Sequence, residues 1–355
     1  MKVIEFGSEF DWDSNSPFQK KDNKEYFDIE NLKKYRSGRD ALKAVAQFYQ
    51  SQTNTILLPA LCCESMVSPF VMNGYKPIFY KINIDYTANV EDVESKLEKN
   101  CLFLYMPYFG VKPFDDLLLQ RWKEEFGVIY IEDRTQNALH KNVQAAFVAD
   151  VIISSVRKWL AVPDGGFLWT KENIQNTTPI TSSFAEIRED AMRKKNAYLL
   201  TGAEEVKTAY REMLQTAAES LDESSDFYAI SPQSETLLKQ IDFEKILLSR
   251  QKNVKVLKSL LSSVAGKGEI AYITKTPEDS ALYFPILVKN RDKLQQQLAA
   301  KNIYCPVIWP IPKEAKNVCA VSEYTAENML ALPCDQRYDA KDMEYIAKTL
   351  IELLG

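Results

Sequence analysis

A lysine closes an apolar run in the segment "ADVIISSVRKWLAVPDGGFLWT", residues 149–170. β-Branched residues lead through Ser154 and Ser155 to Arg157, Lys158 and Trp159, and an Asp-Gly-Gly turn then opens a second apolar run. An ammonium at the end of a buried strand loses hydration, so the position suits an amine that is wanted neutral and nucleophilic. The two serines just upstream could bind a phosphate while the amine reaches a carbonyl carbon. The competing reading is a lysine whose stem lies on apolar surface and whose head stays in water.

Two other junctions carry chemistry-bearing residues. In "YRSGRDAL", Ser37, Gly38 and Arg39 immediately precede a helical pattern, so backbone N–H groups, a hydroxyl and a guanidinium could converge on a dianion. Here the plain alternative is a helix cap. In "VIYIEDRTQNALH", Asp133 ends a strongly apolar run and Gln136 follows one turn later. A carboxylate so placed could keep a heterocyclic nitrogen protonated, as an electron-sink cofactor requires, or could simply cap the next turn. His140, just beyond, is read as structural.

Those residues need a scaffold, and the sequence supplies one. Short apolar runs at 54–59, 76–83, 101–107, 127–133, 151–155 and 165–170 read as strands, most of them too uniformly apolar for a one-sided sheet. Between them lie helical patterns such as "SGRDALKAVAQFYQ" and "DDLLLQRWKEEFG". The alternation predicts an α/β fold with a mostly parallel sheet, whose functional edge is the carboxyl ends of its strands. A charged, helix-favouring stretch at about 184–220 reads as surface helices. We expect a large α/β domain over 1–235 containing that insertion, and a small α+β domain over 236–355.

Composition removes several functions. The 355 residues carry a net charge of −5 with 26% charged and 46% hydrophobic residues, a globular balance without the basic stripe of a nucleic-acid groove. No run has the length of a signal peptide or a bilayer span, which predicts a cytoplasmic protein without a membrane partner. Six scattered cysteines without CxxC spacing and a single histidine argue against a metal site or a Cys-His nucleophile.

An anion site at a helix start, then a strand-end Asp, then Ser and Lys, answers the three handles of pyridoxal phosphate: its phosphate, its pyridinium nitrogen and its aldehyde. With that order the chain resembles the fold-type I pyridoxal-phosphate enzymes, and more narrowly the DegT-type sugar aminotransferases. "SGRDAL", "TILLPALCCESMVSPFVMNGYKPIFYKINID", "LYMPYFG", "IEDRTQNAL", "SSVRKWLAVPDGGFLWT" and "NMLALPCDQRYDAKDMEYIAKTL" carry the resemblance.

The resemblance implies an aspartate-aminotransferase-like fold and a homodimer. It implies amino transfer from glutamate or glutamine to a nucleotide-linked keto-sugar, in surface polysaccharide or amino-sugar biosynthesis. Lys158 would hold the cofactor and shuttle the proton, Asp133 would pair with the ring nitrogen, and Gln136 would lie on the ring's hydroxyl side. Ser37, Gly38, Arg39 and Ser154 or Ser155 would hold the phosphate. Cys63 stands where the family commonly stacks an aromatic ring, and Arg39 stands for its usual threonine. Between 171 and 235 the family's Asn-Tyr-Arg-type segment is replaced by the charged stretch. Two other readings are another fold-type I activity (lyase, racemase or amino-acid transferase) and a non-catalytic ligand-binding regulator.

Overall fold

The apolar runs do fold as strands, and those at the centre of the large sheet are covered on both faces. The chain's structure is a computed structural model describing residues 3–20, 30–139, 148–174, 183–222, 225–262, 264, 270–272 and 282–354; His140 lies outside the described residues. In chain order come β1 (Phe6–Gly7), β2 (Leu32–Tyr35), β3 (Thr55–Pro59), β4 (Lys76–Tyr80), β5 (Leu102–Tyr105) and β6 (Ile129–Asp133). Then follow β7 (Val151–Ser154), β8 (Gly166–Thr170), β9 (Ile270–Tyr272), β10 (Phe284–Val288), β11 (Ile303–Tyr304) and β12 (Met329–Leu332).

The first helices are α1 (Gly38–Tyr49), α2 (Glu64–Val71), α3 (Val90–Glu94) and α4 (Asp116–Phe126). After the large sheet come α5 (Phe184–Thr201), α6 (Glu204–Glu219), α7 (Pro232–Leu238) and α8 (Phe243–Leu261). The chain closes through α9 (Arg291–Ala299), α10 (Ala320–Asn328) and α11 (Ala340–Leu354).

Seven strands form one sheet in the order β2-β8-β7-β6-β5-β3-β4. Strands β3 to β7 run parallel, while β8 is antiparallel to β7 and β2 antiparallel to β8. Every residue of β3, β5 and β7 is buried, as a sheet with helices on both faces demands. The antiparallel β2, a run of mixed polarity at the sheet edge, has no strong sequence signature.

This topology is what assembles a site. The parallel strands release their carboxyl ends at one edge, so the residues after β3, β5, β6 and β7 meet there. Because β2 runs back alongside β8, it too ends at that edge, with Tyr35 opposite Gly166. The start of α1, the Cys63 turn, Asp133 and Lys158 are thereby neighbours although far apart in sequence.

A second core gathers around the antiparallel sheet β12-β10-β9, with Leu257, Ile286, Leu330 and Met343 among its buried residues. Phe6 enters this core, and β1 pairs in parallel with β11, so the N-terminal strand packs with the C-terminal elements. The charged stretch folds as α5 and α6, which share Ala191, Tyr198 and Tyr210 between them. No helix among the described residues is long and apolar enough to cross a membrane.

Candidate active site

A cavity of about 310 Å³ lies at the carboxyl edge of the large sheet, at the lower end of the range of about 300–1,000 Å³ for small-molecule sites. Lys158, Asp133, Gln136, Ser37, Gly38, Arg39, Cys63 and Ser155 all line it. Of the residues expected from the sequence, Ser154 alone does not reach it; it stays in β7, opposite Phe167 of β8.

The anion end is built by close approach. Ser37 caps α1: its hydroxyl accepts from Asp40 N at 3.1 Å and donates to Asp40 Oδ2 at 2.5 Å. Asp40 is itself gripped by Arg36 through a fork of 3.0 and 2.8 Å, which pins the chain as it enters the helix. The Ser37 hydroxyl is therefore a cap, and what this turn offers the cavity is the N-terminal end of α1 at Gly38 and Arg39.

Gly38 leaves room for Ser155, since a Cβ there would stand 3.3 Å from the Ser155 Cβ. At Gly166 the fit is tighter: a Cβ would lie 2.1 Å from the Ser37 carbonyl carbon and 2.5 Å from Gly38 N. The second glycine of "DGG" thus lets β8 touch the helix start directly. Gly166→Ala is expected to push these backbones apart, costing about 3 kcal/mol or more in urea unfolding, and to weaken anion binding at the α1 start.

Arg39 reaches the cavity rim and forms an ion pair with Asp222, a carboxylate 53% exposed. An incoming phosphate competes there with an existing partner, so Arg39 is a shared cation.

Asp133 is buried at the end of β6, where its Oδ1 accepts from Thr135 N at 2.8 Å. Burial pushes its pKa up, opposed by the Thr135 hydrogen bonds and the Lys158 charge. Gln136 is oriented by the loop after β5: its Oε1 accepts from Phe109 N at 2.6 Å.

Lys158 ends a short 3-10 turn, Val156–Lys158, directly after β7. The next residue holds that turn in place. Trp159 is fully buried, its indole donates to Thr135 O at 2.7 Å, and its own carbonyl accepts from Gln336 Nε2 at 2.8 Å and Arg250 at 3.2 Å. Lysine turn, Asp133 turn and α8 are clamped into one unit. Burial first, and then the Arg157 and Arg39 charges, hold the Lys158 amine below its usual pKa, with Cys63 and then Asp133 acting the other way. The amine is poised toward its neutral, nucleophilic form.

Other lining residues had no local signal in the sequence. Tyr283, Ile308 and Trp309 arrive from the C-terminal part of the sequence and pack against the large-sheet core, Glu9 comes from the N-terminal segment, and Arg157 was only Lys158's neighbour. Tyr283 and Trp309 bring aromatic rings to a cavity whose β3-side residue is Cys63.

Residues 233–351 match the model of the DegT/DnrJ/EryC1/StrS aminotransferase family. Similar solved structures include a DegT/DnrJ/EryC1/StrS aminotransferase from Brucella abortus, 17% identical with TM-score 0.62, over 93% of this chain and 88% of that one. Another is Helicobacter pylori PseC, an aminotransferase involved in the biosynthesis of pseudoaminic acid, 11% identical with TM-score 0.62, over 99% and 98%. Over its C-terminal third the chain matches a DegT-type family model, and it shares the fold of these aminotransferase structures. NtdA from Bacillus subtilis, solved with bound cofactor PMP, is likewise similar at 14% identity and TM-score 0.63, over 91% of this chain and 73% of that one. No curated protein sequence matches the chain. The DegT resemblance read from its motifs and the expected α/β aminotransferase fold are both borne out.

Proposed function

We propose that the chain is a pyridoxal-phosphate-dependent aminotransferase acting on a keto-sugar. One observation carries the reading: a lowered-pKa amine, a buried carboxylate and a helix N-terminus line the same cavity. The donor set and the glycine-lined anion end suit pyridoxal phosphate, which when bound supplies the electron sink that stabilises a carbanion next to nitrogen.

The chain's own residues divide the remaining work. The N–H groups at the start of α1 and the Ser155 hydroxyl hold the phosphate. Asp133 keeps a proton on the ring nitrogen, and Gln136 stands toward the ring hydroxyl. Lys158 would hold the cofactor through its neutral Nζ, and that same atom would carry the proton to and from the substrate carbon. Desolvation of the site strengthens each of these contacts.

The amino donor is glutamate or glutamine, and the acceptor a nucleotide-linked keto-sugar of amino-sugar or surface-polysaccharide biosynthesis. The working form is a cytoplasmic homodimer. The sugar is supported by the DegT family match and by the fold shared with PseC. The test is a panel of nucleotide-linked keto-sugars offered to the protein loaded with the amino form of the cofactor. Return of the visible absorbance band together with an aminated sugar by mass spectrometry supports the acceptor class; return only with 2-oxo acids would move the protein to the amino-acid transferases.

A further inference from the structure

A second cavity, of about 550 Å³, opens between α6, the N-terminal segment and α9. Glu9, Arg157, Lys158, Tyr283 and Pro306 line both it and the smaller cavity, so the two meet at the Lys158 amine. Among the described residues Arg157 makes no hydrogen bond or ion pair, and its buried Nε has no acceptor. The Phe184 ring lies 6.0 Å from its guanidinium carbon.

The carboxylate that shares both cavities with it is already claimed. Glu9 pairs with Arg188 at 2.9 Å, and the Arg188 charge, with Arg157 and Lys195 behind it, holds Glu9 ionised down to about 2. Burial pushes Arg157 down to about 10, which leaves it charged at neutral pH. A half-buried guanidinium whose Nε is buried without an acceptor is costly, and a ligand's anion would satisfy it.

We propose that Arg157 anchors the carboxylate of the amino donor and so places the donor's α-carbon beside the Lys158 amine. This rests on the aminotransferase reading and assigns a residue to it. A donor carboxylate is one bond from the α-carbon that must reach Lys158 Nζ, which matches a cation adjoining that lysine. The phosphates of a nucleotide-linked acceptor are separated from its keto carbon by more bonds than a donor's carboxylate is from its α-carbon. The cofactor phosphate belongs to the α1 end of the smaller cavity, whereas Arg157 also faces the larger one. A planar fork binds a carboxylate through two parallel hydrogen bonds, which an ammonium cannot copy.

The experiment titrates Arg157→Gln and Arg157→Lys beside the unaltered protein, first with pyridoxal phosphate and then with L-glutamate, following the visible band. The expected result is a cofactor dissociation constant within about threefold of the unaltered protein. Half-saturation by L-glutamate rises about 10- to 100-fold in the Gln variant, as for loss of one charge-assisted pair. The limiting rate at saturating glutamate changes less, and the Lys variant lies between. Loss of cofactor affinity with glutamate half-saturation unchanged would overturn the proposal and make Arg157 a phosphate ligand. Unchanged values throughout would overturn it in favour of a packing role. If the Gln variant fails to fold, the Lys variant, which keeps the charge and loses the fork, must still show at least a severalfold rise. An unaltered protein with no lysine-dependent band is a separate failure, that of the aminotransferase reading itself.

Discussion

Lys158→Ala is expected to abolish the visible absorbance band with pyridoxal phosphate and to lower amino transfer by on the order of 10⁴-fold, the upper end for a positioned proton carrier. The same substitution should leave the protein without cofactor as stable as before, or more so. The reason is in the setting of the amine: burial with Arg157 and Arg39 nearby holds its pKa down, a strain on the fold that alanine removes. A lysine that merely covered apolar surface would show neither effect. Thermal melting without cofactor, set beside the absorbance titration, checks both halves.

Asp133→Asn should separate function from stability in a similar way. Asparagine keeps an oxygen to accept from Thr135 N, the 2.8 Å bond that fixes this turn, and it removes a buried carboxylate whose pKa is raised by burial. Melting without cofactor is therefore expected to be unchanged or higher. Cofactor binding loses a buried charge pair with the ring nitrogen, about 3–5 kcal/mol, or on the order of 10² to 10⁴ in affinity. Absorbance titration of the variant measures it; cofactor affinity within a factor of three of the unaltered protein would remove Asp133 from the site.

Much of this arrangement was legible in the sequence because its signals are local. The six apolar runs announce strands, and each does form one, with β3, β5 and β7 buried throughout. Residues placed just after strands were bound to meet at the sheet's carboxyl edge, which is where Asp133 and Lys158 lie. Local reasoning fails where the partner is distant. Strand β2 is short and polar, and only its pairing with β8 makes it a strand; yet it delivers Ser37 to the site. The Ser37 hydroxyl is spent on the α1 cap, a choice decided by Asp40 three residues on. Arg39 finds Asp222, which belongs to the segment after α6. Tyr283 and Trp309 come from distant sequence to pack against the large-sheet core, and β1 crosses to β11, long-range docking that no nearby pattern encodes.

The most direct test of the central claim is an absorbance spectrum of the purified protein with pyridoxal phosphate, before and after excess L-glutamate, with Lys158→Ala as control. A visible band that requires Lys158 and gives way to the amino form of the cofactor on adding glutamate is the predicted result. No lysine-dependent band would contradict it, leaving the cavity as the site of a ligand-binding protein that has kept the fold without the chemistry.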